Sequence, residues 1–213
     1  MKAEVCPDRF SGKRVFIIGG GPSIRGLDLE HDLHDKIVIG VNDAYNMSCT
    51  DICCFGDTSW YKMHAENLKN WDGEVWSNNT NTLGIDRVKN LRKSSSKLST
   101  DPDKCAWFGN SGYLAINFAL LGHPDEIVLL GYDMDMIENR ANWHDDNRSH
   151  PHMGTYDSFL GHETNISGQI KHLYPDVSIV NANPVSRLSV FEKVNPEDFG
   201  INIPENHIYR SGS

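Results

Sequence analysis

Val15-Phe16-Ile17-Ile18-Gly19-Gly20-Gly21-Pro22-Ser23 runs four apolar, mostly β-branched residues straight into three glycines, a proline and a serine. That order predicts a buried parallel strand ending in a tight turn at the start of a helix. Glycine lets backbone approach a ligand closely. Pro22 is preset for a first helical turn, where its missing N–H costs nothing. Ser23 adds a hydroxyl, and a helix start offers N–H groups and partial positive charge. The stretch is therefore read as a candidate phosphate or nucleotide site, with Gly19, Gly20, Gly21, Pro22 and Ser23 as its contacts. The competing reading is a plain strand-to-helix turn.

Four further runs share the plan of an apolar strand capped by Gly, Asn or Asp. They are residues 36–43 (KIVIGVND), 51–57 (DICCFGD), 126–133 (EIVLLGYD) and 177–183 (VSIVNAN). Helical segments are expected between them at 61–69, 111–121 (SGYLAINFALL), 167–173 and 186–194. Alternating strands and helices indicate an α/β fold, a single Rossmann-like, doubly wound, mostly parallel sheet with helices on both faces. In such sheets ligands bind outside the carboxyl ends of the strands, so all five polar strand ends point toward one crevice. The expected organisation is a lead-in at 1–13, one domain over 14–194 and a tail over 195–213 that is extended or partly disordered. A long irregular insertion at 134–165, directly after a strand end, has the character of a lid.

Composition bounds the reading. A chain of 213 residues can bury a sizeable core. A net charge of −9 argues against a broad nucleic-acid surface. A nucleic-acid partner would need the local basic stretch of Arg87, Lys89, Arg92, Lys93 and Lys97 to line a groove; a solvated loop is the simpler reading. The five cysteines include no CxxC pair, which points to reduced thiols in a cytoplasmic protein and not to a zinc ribbon. The sequence has neither an apolar secretory core near residue 1 nor a run of membrane-spanning length.

Several polar residues are candidates for chemistry. Asn42, at the second strand end, could read a base or sugar, or form a turn with Asp43. Asp57 could contact a ribose or cap the helix after it. Asn110, Ser111 and Gly112 form a second glycine-containing turn at a helix start, suited to a sugar or carboxylate as well as to capping. Asp133-Met134-Asp135 is an Asp-x-Asp at a strand end, where Mg²⁺ or Mn²⁺ could meet a nucleotide diphosphate. The insertion holds four of the ten histidines, His144, His150, His152 and His162, close to Asp145 and Asp146. Imidazole suits proton transfer near neutral pH, and the spacing matches no familiar metal motif.

The order of these motifs resembles the bacterial sialyltransferases of glycosyltransferase family 42 and the related MptE-like family, which includes archaeal 6-hydroxymethylpterin pyrophosphokinases. The resemblance rests on Gly19-Gly20-Gly21-Pro22-Ser23, Val41-Asn42, Ser111-Gly112, Leu121-Gly122, Gly131-Tyr132-Asp133, Gly161-His162-Glu163-Thr164-Asn165 and Asn183-Pro184-Val185-Ser186, spanning about residues 14–192. The Gly-Asn-Ser-Gly-Tyr helix and the Trp143-His144-Asp145-Asp146 loop look most like an uncharacterised phage- and prophage-encoded branch.

The sialyltransferase resemblance implies a Rossmann-like fold, a cytidine nucleotide-sugar donor of the CMP type, and a histidine general base with no strict metal requirement. By motif match it implies His162 as the base; His144, in a Trp-His-Asp-Asp loop that is not a sialyltransferase feature, is a second candidate from the histidine-bearing insertion. Donor contacts would come from the glycine loop, Asn42, Ser111 and Gly112, with Tyr156 on the donor phosphate. The expected function is a nucleotide-sugar-dependent glycosyltransferase acting on an acceptor hydroxyl of open identity. The alternatives are an MptE-like pyrophosphokinase using ATP and Mg²⁺ at Asp133 and Asp135, and a non-catalytic nucleotide-binding module. A homo-oligomer is a further option for partnership, and a bacterial cytoplasm the expected location if the gene is phage-borne.

Overall fold

The computed structural model describes residues 3–94, 97–144 and 153–210. Eight strands form its central sheet. They are β1 (Arg14–Ile18), β2 (Ile37–Val41), β3 (Ile52–Phe55), β4 (Glu74–Ser77), β5 (Val88–Asn90), β8 (Glu126–Leu130), β9 (Ser178–Asn181) and β10 (Glu192–Lys193). Their order across the sheet is β10-β9-β8-β1-β2-β3-β4-β5. Two short strands, β6 (Arg92–Lys93) and β7 (Lys104–Cys105), pair separately. Every strand pairing is parallel.

The sheet is buried on both faces, and the period-2 geometry of each strand divides its side chains between them. Val15 and Ile17 of β1, with Ile127 and Leu129 of β8, pack under α3 (Ser111–Leu121) and α5 (Glu163–Leu173). Phe16 and Ile18, with Val128 and Leu130, face Leu29 of α1 (Leu29–Asp32). Cys53 and Phe55 of β3 face Trp60 and Leu68 of α2 (Thr58–Lys69). Every residue of α3 is buried, which explains a helix that is apolar all round. The remaining helix, α4 (Met153–Leu160), comes after the 134–144 loop and contributes Phe159 and Leu160 to the margin of the same core.

The lead-in residues pack as part of the domain. Phe10 is 2% exposed, lies edge-on to Phe118, and its amide donates to Gly122 O at 2.8 Å. The tail likewise departs from the expectation of disorder over its described residues. Two 3-10 turns, Pro196–Phe199 and Ile208–Arg210, carry Ile201, Ile203 and His207 into buried positions.

Other segments differ from expectation in detail. Residues 186–194 form a turn and β10 and not a helix. The irregular 77–104 stretch contains β5, β6 and β7, whose two- or three-residue lengths are too short for periodicity to register. Of the five basic side chains named above, four are spent on the protein. Arg87 donates to Leu68 O and Gly73 O, Lys89 pairs with Glu74, Arg92 with Asp103, and Lys93 lies over the Trp107 ring. All five cysteines are free and buried. No helix among the described residues is long and apolar enough to cross a membrane.

Candidate functional site

β1 has β2 on one side and β8 on the other, so the chain winds outward in both directions from the β1–β8 pair. This is the topological switch point, where an open parallel sheet leaves a crevice beyond its strand ends. A cleft of about 370 Å³ opens there, within the usual size range for a small-molecule site. Its walls include Gly19, Gly20, Gly21, Asn42, Asp57, Asn110, Ser111, Gly112, Asp133, His144 and Tyr156. Residues drawn from seven separate segments of the sequence thus meet at one place.

The glycine loop is built differently from a helix-start phosphate cradle. It leads into a three-residue 3-10 turn, Pro22–Ile24, too short to sum a helix dipole. Two of the glycine amides are already used, Gly19 N on Leu130 O at 2.7 Å and Gly21 N on Gly131 O at 2.9 Å. A Cβ at Gly21 would sit 2.5 Å from Asp133 Cγ and from Gly131 O, and one at Gly19 would sit 2.7 Å from Gly131 O. These two glycines are required by the contact between the β1 and β8 loops. Gly20 differs, because a Cβ there would meet only Asn142 Oδ1, at 3.3 Å, on the cleft wall.

Pro22 and Ser23 do not line the cleft. Ser23 is fully buried behind it, where its amide donates to Asp133 Oδ2 at 2.8 Å and its hydroxyl donates to Asp133 Oδ1. Asn183 Nδ2 donates to the same Oδ1 at 2.6 Å. Burial, the larger effect, pushes the Asp133 carboxyl up to about 6, against the lowering by Ser23. With both oxygens held by protein donors inside the fold, Asp133 does not fit the role of a divalent-cation ligand. Asp135 Oδ1 accepts from the Met136 amide. Among the described residues no group of three or more His, Cys, Asp or Glu could hold a metal ion. The Asp-x-Asp spelling arose from a loop-closing carboxylate next to a turn residue.

The remaining polar residues are tied to helix starts and strand ends. Asp57 Oδ1 accepts from the Ser59 and Trp60 amides at the start of α2. Asn110 Oδ1 accepts from Gly112 N at 2.6 Å at the start of α3. The Ser111 hydroxyl accepts from Gly56 N at 3.1 Å. Asp57 and Asn110 each cap a helix while lining the cleft, and Ser111 lines it while holding the end of β3. The buried Tyr156 hydroxyl donates to Ala141 O at 3.0 Å, and burial raises its pKa. Asn42 has a left-handed backbone, φ 52°, and its Oδ1 is buried with no hydrogen-bond partner. Such an acceptor is costly unless a donor reaches it.

The histidines separate sharply. His144 lines the cleft, with Nε2 3.8 Å from Asp43 Oδ2. His162 is exposed at the N-cap of α5 and is not among the cleft-lining residues. Its ring lies 6.0 Å from that of Phe108. The likeness of a Gly-His segment could not show which way the ring points. Asp145, Asp146, His150 and His152 lie outside the described residues. Residues that sequence reasoning passed over include Trp60, Trp107 and Phe159 on the cleft wall, and His64 behind it. The spacing of Trp60 and His64, four apart on one helix face, was an available signal.

Among the described residues, no Lys or Arg lines the cleft. A phosphate held there would depend on amides, hydroxyls and aromatic edges.

No protein-family model matches the sequence, and no curated protein matches it. Solved structures do match in fold. Sialyltransferase CstII from Campylobacter jejuni in complex with the substrate analogue CMP-3FNeuAc superposes with a TM-score of 0.51 and 15% identity, covering 90% of this chain and 89% of that one. CstII in complex with cytidine-5'-monophosphate gives a TM-score of 0.53 and 14% identity, with coverage of 94% and 97%. At this identity the likeness establishes a shared fold over nearly the whole of both chains.

Proposed function

We propose that this chain is a nucleotide-sugar-dependent glycosyltransferase, sialyltransferase-like in fold, whose donor nucleotide lies in the switch-point cleft. One observation carries the reading. A cleft of about 370 Å³ at the β1–β8 switch point gathers Asn42, Asn110–Gly112 and His144 on the fold of proteins solved with CMP and a CMP-sugar analogue. The partnerless Asn42 acceptor supports a ligand that donates a hydrogen bond, such as an exocyclic amine or a sugar hydroxyl.

The reaction would be a direct displacement. The acceptor oxygen bonds to the anomeric carbon of the donor sugar, the nucleotide leaves with the electron pair of the glycosyl C–O bond, and the acceptor proton passes to an imidazole. His144 is favoured over His162 for that role because it borders the cleft. The oxygens of Asp133 are engaged internally, so the proposal routes no step through a metal.

Thermal-shift measurements against CMP, CDP, UDP, GDP and ATP, each with and without Mg²⁺, test it. A specific ligand stabilises the native state by mass action. A rise in melting temperature with a cytidine nucleotide in the absence of Mg²⁺ is expected. A shift only with ATP and Mg²⁺, or with no nucleotide at all, overturns it.

A further inference from the structure

His144 does not stand alone at the cleft. The turn after β2 supplies Asp43, whose carboxylate is approached from three directions. Trp60 Nε1 donates to Oδ2 at 2.9 Å. His64 Nε2 lies 3.3 Å from Oδ1, and His144 Nε2 lies 3.8 Å from Oδ2. Behind it, the Tyr45 hydroxyl is 3.1 Å from His64 Nδ1. His64 is 7% exposed and stacks on the Trp60 ring with centroids 4.5 Å apart. A carboxylate against Nε2 fixes the His64 tautomer: Nε2–H donates to Asp43, and Nδ1 accepts from Tyr45.

The chain of contacts therefore runs from the protein interior to the cleft, Tyr45 to His64 to Asp43 to His144. A histidine placed by a carboxylate that is itself held by other groups is the arrangement that orients an imidazole and stabilises its protonated form. Capping and core packing do not require it. Val41, not Asp43, is the N-cap of the turn after β2, and although Tyr45 and Trp60 belong to the core beside β3, apolar packing does not call for a histidine–aspartate pair within it.

We propose that Asp43 is the positioning residue of His144, and that His64, Tyr45 and Trp60 hold Asp43 in place for it. This rests on the transferase reading above and deepens it. When the acceptor proton arrives on His144, the imidazolium pairs with the Asp43 carboxylate across the existing approach. No proton moves onto Asp43, and the line to Tyr45 serves to keep the carboxylate aimed.

Two measurements on the full chain test this. The first needs no substrate. The ring resonances of His144 and His64 are followed by carbon- and nitrogen-correlated NMR, with His172 on the far end of α5 as reference. His64 is expected as the Nε2–H tautomer. Asp43→Asn is expected to displace the signals of both rings, and His64→Gln to displace those of His144 through Asp43, with His172 unmoved. His144 signals unmoved by both substitutions overturn the proposal, as does His64 in the Nδ1–H tautomer.

The second uses a nucleotide sugar carrying whichever base stabilises the wild type. Asp43→Asn is expected to lower kcat on the order of 10²-fold, with donor KM little changed. The double variant with His144→Ala is expected to be no slower than His144→Ala alone. Independent, multiplying losses, or a loss confined to KM, overturn it. If no nucleotide sugar is turned over, the transferase reading falls, while the NMR result still decides whether the four residues act as a unit.

Discussion

Ser23 and Asp133 lie 110 positions apart, yet both the amide and the hydroxyl of Ser23 are spent on the one carboxylate. Their contact, with Asn183 on the third side, closes the β1 loop against the β8 loop behind the cleft wall. The loop whose spelling suggests phosphate binding is thus shaped first by an internal carboxylate.

Asp133→Asn replaces one acceptor oxygen by an amide donor facing other donors. A stability loss of about 1–3 kcal/mol is expected for that mismatch, read from urea denaturation at pH 7. The pH dependence has a fixed sign. Burial raises the folded Asp133 carboxyl to about 6 from an ordinary 3.8, so the folded protein binds this proton more tightly than the unfolded chain. Its contribution is fully present below about pH 4 and is lost as pH rises through 6. The difference in stability between wild type and Asp133→Asn should therefore change between pH 4 and 6.5 and level off above. A flat difference across that window contradicts the assignment.

Gly21 and Gly20 should respond oppositely to the same added methyl. Gly21→Ala drives a Cβ to 2.5 Å from Asp133 Cγ, and a loss of about 1–3 kcal/mol is expected from overpacking. Gly20→Ala meets only Asn142 Oδ1 at 3.3 Å, so the fold should survive while nucleotide affinity falls. Melting curves with and without ligand separate the two.

Glu74 ties the lead-in to the sheet edge. Burial alone would raise its carboxyl, but hydrogen bonds from Arg9, Trp76 and Lys89 outweigh this and hold it at about 2, against an ordinary 4.5. A depressed folded value gives stability that is present above pH 4.5 and lost as pH falls toward 2. Glu74→Gln should therefore lower the melting temperature more at pH 6 than at pH 3. Equal losses at both values would show that the charge is not what matters.

Ile201 tests the docking of the tail. It is 1% exposed and packs in the cluster containing Phe16 and Ile18. Ile201→Ala should cost about 2–5 kcal/mol, the range for a large-to-small change in a core, measured by chemical denaturation. A loss below about 0.5 kcal/mol, the size of an ordinary surface substitution, would mean that the tail is not part of the cooperative unit.

His144 and His162 divide on turnover. Under the proposed reaction, His144→Ala should lower kcat by about 10²–10⁴-fold, the usual contribution of a general base, while CMP binding by calorimetry stays as in wild type. His162→Ala should leave kcat near the wild-type value, because its exposed ring is not a cleft-lining residue. The reverse pattern returns the base to the Gly-His segment.

Much of the fold was legible because its signals are local. β1, β2, β3, β8 and β9 announce themselves as apolar runs stopped by small polar residues, and α3 as eleven residues with an N-cap in front. Strands of two or three residues, such as β5 and β10, are too short to carry a pattern. The convergence of polar strand ends on one crevice was also legible, since every strand of a parallel sheet ends on the same side.

The sequence by itself determined the α/β class, the buried central strands and the end of the sheet at which a ligand would lie. Hydrophobic periodicity and turn chemistry act between neighbours in the chain, and the order of residues spells those neighbours out. Only the tertiary structure decided where particular side chains point. It turned Ser23 and Asp133 toward each other, with Ser23 behind the cleft wall, left His162 on the surface, and brought Asp43 beneath His144 with His64 and Tyr45 behind it. Those directions depend on which loops meet across the sheet, a long-range outcome of packing that no local stretch encodes.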